Sequence, residues 1–128
     1  MNNPDRLKTW NLYQAAWSAV PDRERRHLIE QSVSPNCVYT DPRSQAHGID
    51  ELIKRIEESQ RAFPGAHFHN DDFLEHHDQG LFHWTMFDGE NHVFVKGSSF
   101  GCFDDGLLVR ATGFFEAPGS PRRASSPG

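Results

Sequence analysis

Eight histidines and a scatter of carboxylates are the first groups in this chain whose chemistry invites a reading. His67 and His69 stand two apart and Glu75 shares their parity, so on one uninterrupted strand all three would project to the same side. Neutral imidazoles with a carboxylate would suit Zn²⁺ or Fe²⁺. The interval from His69 to Glu75 is long for such a set, however, and no second histidine motif follows. Exposed strand histidines are the better reading, and no metal centre is expected. His76 and His77 precede a turn and belong in water. His83 differs, because its neighbours are apolar; an imidazole that changes charge near neutrality makes it a candidate proton carrier. Cys37 and Cys102 lie in strand-like patterns and read as small buried residues, not nucleophiles. Gly89, Gly101 and Gly106 mark turns or bends, and no phosphate-loop or dinucleotide fingerprint occurs, so no cofactor is expected.

The elements that must carry these groups belong to a chain of 128 residues and 14.6 kDa, the size of one domain. Hydrophobic residues make up 36% and charged residues 24%, which excludes both a disordered chain and a membrane-embedded one. A net charge of -5 and a pI near 5.8 argue against a partner recognised through its phosphate backbone, so no nucleic acid is expected. Two cysteines are too few for a disulfide scaffold, and the first residues lack the apolar core of a signal peptide. No apolar run reaches the ~18–20 residues a membrane span needs. A cytoplasmic protein is expected.

Leu7, Trp10, Tyr13, Trp17 and Val20 recur at spacings of three and four, which predicts a first helix between Asp5 and Val20. Pro21 ends it, and Asp22 reads as the N-cap of a second helix through Glu30, whose arginines form a solvated face. Residues 36–40 read as a short strand stopped by Asp41-Pro42, and residues 43–48 as a polar loop. Ile49, Leu52, Ile53, Ile56, Gln60 and Phe63 make another amphipathic face, terminated by Pro64-Gly65. Beyond residue 65 the period becomes strand-like over 66–76, 81–88, 92–103 and 107–116, with short breaks that force antiparallel hairpins. Helices followed by a meander mean an α+β fold with the helices on one face of a curved sheet. Residues 1–116 form one domain, and residues 117–128 read as a disordered tail. Along 81–87 both faces are apolar, so alternation does not choose the inner one.

At Tyr39-Thr40-Asp41-Pro42, followed by Gly48 and a helix ending at Phe63-Pro64, the chain resembles the nuclear transport factor 2-like superfamily. Within it the chain is similar to the SnoaL-like polyketide cyclases and ketosteroid isomerases, over about residues 5–116. The resemblance implies a cone-shaped roll, with N-terminal helices on the concave face of a mainly antiparallel sheet, and a homodimer. It also implies a pocket for a small apolar carbonyl compound, and a cofactor-independent isomerase, cyclase or lyase working by acid–base chemistry. By the same resemblance Asp41 is the general base, its pKa raised by desolvation, and Tyr13, which opens the run Tyr13-Gln14-Ala15-Ala16, donates to the substrate oxygen. His83, the proton carrier its neighbours suggest, would assist them. The expected pocket residues are Trp17, Phe63, Leu81, Ser98, Phe100, Ala111 and Phe115, with Trp84 on the outer face. Ser98 stands where the isomerases carry a second acidic donor. A serine does not replace a neutral carboxylic acid, so a non-catalytic ligand-binding or dimerisation module is the alternative.

Overall fold

Asp5 caps the first helix by accepting from the Lys8 backbone N–H at 3.0 Å, and α1 runs Arg6–Trp17 in a computed structural model that describes residues 5–115. The proposed tail 117–128 and the boundary at residue 116 lie outside the described residues. Helix α2 spans Asp22–Ser32, with Pro21 rather than Asp22 at the N-cap. Its arginines are not all solvated. Arg25 is buried and donates to the carbonyls of Ala16, Ser18 and Val20, closing the α1–α2 turn. These carbonyls end α1 and open the turn, and the buried guanidinium satisfies all three.

Strand β1 (Val33–Thr40) starts earlier than its β-branched core suggests, and the expected loop after it contains a short strand, β2 (Gln45–His47). Helix α3 (Gly48–Ala62) buries Leu52, Ile53 and Ile56. The meander follows as β3 (His67–His76), β4 (Gln79–Phe87), β5 (Val93–Asp104) and β6 (Leu107–Phe115). One six-stranded sheet results, in the order β2-β1-β6-β5-β4-β3, antiparallel throughout except where β1 lies parallel to β6. The sheet is not closed, and the helices lie over one face of it, which is the expected α+β cone. Asp105 and Gly106 both take positive φ in the two-residue β5–β6 turn, as a tight hairpin requires.

Register settles the faces. In the β3–β4–β5 pairing Phe82, Trp84 and Met86 point toward the helices at 0%, 6% and 6% exposure, whereas Leu81 lies outside at 36%. This reverses the expected parity of strand 81–87. The inward set carries the larger rings, and β5 sets only Ser99 opposite Phe82 and Gly97 opposite Trp84. A Cβ at Gly97 would sit 2.4 Å from the Trp84 ring, so the bare backbone there is what admits the indole. A bulge between Asn70 and Asp72 flips parity along β3. His67 and His69 consequently pair beside the outward Phe87 and Thr85, while Glu75 pairs beside the inward Gly80. The imagined histidine–carboxylate set is thus split between two faces.

Candidate functional site

Two inward positions of β1 and the residue just past its end set the chemistry of the cone. Cys37, Tyr39 and Asp41 alternate on the inner face, all buried. The Asp41 carboxylate is wholly enclosed and accepts six hydrogen bonds. Oδ1 receives the backbone N–H groups of Arg43 and Ser44, both at 2.8 Å, and the Ser44 hydroxyl at 3.2 Å. Oδ2 receives the Tyr39 hydroxyl at 2.6 Å and Arg55 through Nη2 at 2.8 Å and Nε at 3.1 Å. Burial alone would raise the Asp41 pKa. The Tyr39 hydroxyl, the Arg43 N–H and the Arg55 guanidinium outweigh it and hold the carboxyl below its ordinary value. Desolvation, reinforced by Tyr13 and Asp41, drives the Tyr39 phenol well above its own range, so it stays a donor.

Between this network, α1, α3 and the inner sheet face lies a cavity of about 350 Å³. Its apolar wall is mainly aromatic: Trp10, Trp17, Phe63, Phe68, Trp84 and Phe115. The rings brace one another, Trp17 against Tyr39 at 5.2 Å and Phe68 edge-on to Trp84 at 5.5 Å. Gln60 ties α3 to the end of α1 and the start of β3 by donating to the carbonyls of Trp17 and Ala66. Trp84 is fixed by an indole N–H donation to Ser99 Oγ at 2.9 Å. Polar groups on the wall include Tyr13, Tyr39, Ser44, Arg43, Arg55 and Glu58. The Arg55 guanidinium lies 5.8 Å from the Trp17 ring centre, within cation–π reach. Burial pushes the Tyr13 phenol well above its usual pKa, opposed by the Trp17 indole and Arg55 and reinforced by Cys37 and Asp41. Tyr13 therefore faces the cavity as a neutral hydroxyl.

The expected residues divide by face. Tyr13, Trp17, Phe63 and Phe115 line the cavity, and Ala111 points inward as buried packing beside Tyr39. Asp41 stands behind the wall with its carboxylate already occupied. Leu81, His83, Ser98 and Phe100 are corrections: all four lie on the outer face of the sheet. There His83 Nδ1 meets Ser98 Oγ at 2.8 Å, and its Nε2 lies 3.8 Å from Asp72. Trp84, expected outside, is an inner wall, and Ser99 rather than Ser98 is the inward serine. Tyr39, Arg55, Ser44 and Glu58 were not anticipated. Tyr39 was detectable as the same-face neighbour two residues before Asp41. Arg55, Glu58, Ser59 and Ala62 follow a helical stripe along α3 that hydrophobic periodicity passes over.

A family model described as SnoaL-like domain matches residues 12–111. A crystal structure described as "a putative isomerase of the SnoaL-like family", from Agrobacterium tumefaciens, is 25% identical. The match covers 88% of this chain and 97% of that one, with a TM-score of 0.81. A "putative SnoaL-like polyketide cyclase" from Jannaschia is 13% identical over 91% of each chain, with a TM-score of 0.74. A Sinorhizobium meliloti structure described as a "putative polyketide cyclase" is 14% identical. That match covers 83% of this chain and 93% of that one, with a TM-score of 0.69. No curated protein matches the sequence.

Proposed function

The chain belongs to the SnoaL-like domain family, and from that premise we propose that it binds one small, largely apolar molecule inside the cone. An oxygen acceptor of that molecule, a carbonyl in the simplest case, is held at the Tyr13 hydroxyl. The observation that carries this reading is the cavity of about 350 Å³, aromatic over most of its wall and polar at a few convergent groups. Tyr13 supports it because a phenol kept neutral by its surroundings remains a donor at every physiological pH. Asp41 has the opposite character for a base: ionised, enclosed and committed to six donors. Its role here is to fix Arg55 and Tyr39 in the wall.

Naphthalene and 2-acetylnaphthalene test this directly, with the cavity-lining Trp10, Trp17 and Trp84 as fluorescent reporters. Saturable quenching by both is expected, the ketone binding more tightly, and Tyr13→Phe should remove the ketone's advantage. Unquenched emission over the whole titration would overturn the reading.

A cofactor-independent isomerase or cyclase is the second reading, favoured by the Agrobacterium relative at 25% identity. In it Tyr13 stabilises the enolate oxygen and Glu58, a carboxylate on the cavity wall, removes the neighbouring carbon-bound proton. Solvent deuterium appearing in a bound ketone, and vanishing in Glu58→Gln, would establish it. A homodimer also belongs to the proposal. The outer sheet face carries Leu74, Leu81, Phe100 and Phe114 in adjacent cross-strand rows, and equilibrium sedimentation should report two chains. No helix among the described residues is long and apolar enough to cross a membrane. Both cysteines are free thiols, which fits a cytoplasmic setting.

A further inference from the structure

We infer that the molecule taken by the cone is an amphipathic acid: a flat apolar body ending in a carboxylate or other oxyanion. This rests on the reading of the cavity as a small-molecule site, and it adds the charge of the occupant. Arg55 divides its donors unevenly. Nε and Nη2 are spent on Asp41 and Ser44. Nη1 donates to nothing among the described residues, while Arg55 itself lines the cavity. The Arg55–Asp41 pair is therefore neutral as a whole but oriented. Its negative end is enclosed behind the wall under six hydrogen bonds, and the far side of its guanidinium is left with two unspent N–H donors.

Arg43 adds to the same end. Its backbone N–H is committed to Asp41, its side chain lines the cavity, and that side chain forms no ion pair among the described residues. Glu58 is the opposing charge on the wall; it and Arg43 are both exposed and water screens them alike, so the half-buried Arg55 sets the sign inside the cavity. A carboxylate entering an aromatic cavity loses its hydration, and only charge-assisted hydrogen bonds compensate that loss. Arg55 Nη1 and the neutral Tyr13 hydroxyl supply such bonds. Both groups line the same cavity beside Trp17, whose ring lies 5.8 Å from the Arg55 guanidinium and 6.4 Å from the Tyr13 ring, centre to centre. An amine would meet two guanidinium groups instead, and a neutral amide would leave the Nη1 donors with a weaker acceptor.

Naphthalene-2-carboxylate and naphthalene-2-carboxamide are probes of nearly equal shape that differ in charge at neutral pH. Tryptophan quenching by each should show the acid binding about tenfold more tightly at low salt, the factor one hydrogen bond to a charged group supplies. The acid's advantage should shrink as salt is raised. Arg43→Gln, which changes an exposed side chain, should cut the acid's affinity severalfold and leave the amide's where it was. Equal binding of acid and amide would overturn the charge assignment while leaving the cavity reading intact. Failure of both probes to quench would bring down the cavity reading and this inference together. An acid preference that Arg43→Gln leaves untouched and salt does not weaken would also refute the assignment, because the selection would then not be electrostatic.

Discussion

Replacing Asp41 with Asn separates a base from a structural anion. For a general base the substitution leaves folding intact and removes chemistry. The geometry requires a different outcome. An amide keeps one oxygen and gains an NH₂. If its oxygen stays with the Arg43 and Ser44 N–H groups, the NH₂ confronts Arg55 and Tyr39, donor against donor. If it flips, the NH₂ confronts the two backbone N–H groups instead. Breaking a buried ion pair costs ~3–5 kcal/mol. Arg55 keeps 17% of its side chain exposed and can recruit water, which places the cost at about 2–4 kcal/mol. For a domain of this size that lowers the melting temperature by about 10–20 °C.

The pH dependence gives an independent reading of the same experiment. The Asp41 pKa is lower in the folded protein than in the unfolded chain. Its contribution is therefore fully present above the unfolded value of ~4 and is lost as pH falls through the lower folded value. The stability gap between parent and Asp41→Asn should be widest at neutral pH and narrow in acid. Thermal unfolding followed by circular dichroism across pH measures both. A variant as stable as its parent at neutral pH, or a gap that widens in acid, would refute the argument.

Gly97→Ala should destabilise by ~1–3 kcal/mol and shift tryptophan emission, because the new Cβ would lie 2.4 Å from the Trp84 ring and 2.8 Å from the Phe114 carbonyl oxygen. Urea unfolding and fluorescence check it, and an unchanged midpoint would show that Trp84 moves freely. Arg25→Met keeps the apolar stem but leaves the carbonyls of Ala16, Ser18 and Val20 without their donor, for an expected loss of ~2–3 kcal/mol in chemical denaturation. Burial pushes the Cys37 thiol up to about 12, so at mildly alkaline pH a disulfide reagent should label Cys102 first. Cys37 should react only once the chain is unfolded, and rapid labelling of both thiols would contradict its enclosure.

Element order was legible in the sequence because periodicity and turn chemistry are local signals. The switch from helical to alternating spacing at residue 65 and the Asp-Gly pair at 105–106 each report on neighbours only a few residues away. Face choice was not legible along 81–87, where both sides are apolar and alternation carries no sign. The sign lay across the sheet, in the small residues at 97 and 99 that face Trp84 and Phe82. Leu81 and His83 pair directly with Phe100 and Ser98 in the ladder, so all four fall together on the outer face. The histidine–carboxylate pattern failed for a related reason. One bulged residue in β3 reverses every later side chain, and a count of two per repeat assumes that no bulge occurs. Of the site, Tyr13 and Trp17 followed from the helix face they share. Arg55 remained invisible because its partner Asp41 lies fourteen residues away on another element.

The pairing of Asp41 with Arg55 also explains how a strand-end acid serves a cavity without exchanging protons with its contents. To accept a proton Asp41 must give up the Arg55 and Tyr39 bonds on Oδ2 or the backbone bonds on Oδ1, and the protonated form would then stand beside an unneutralised guanidinium. Each of these terms favours the anion, so proton transfer to Asp41 works against the interactions that position it. Held as an anion, it locks Nε and Nη2 of Arg55 in one orientation and leaves Nη1 unspent. A guanidinium on a long flexible stem would otherwise lose substantial rotamer freedom on meeting a ligand. Asp41 makes that ordering part of folding, so the cation is already oriented when a ligand oxygen arrives.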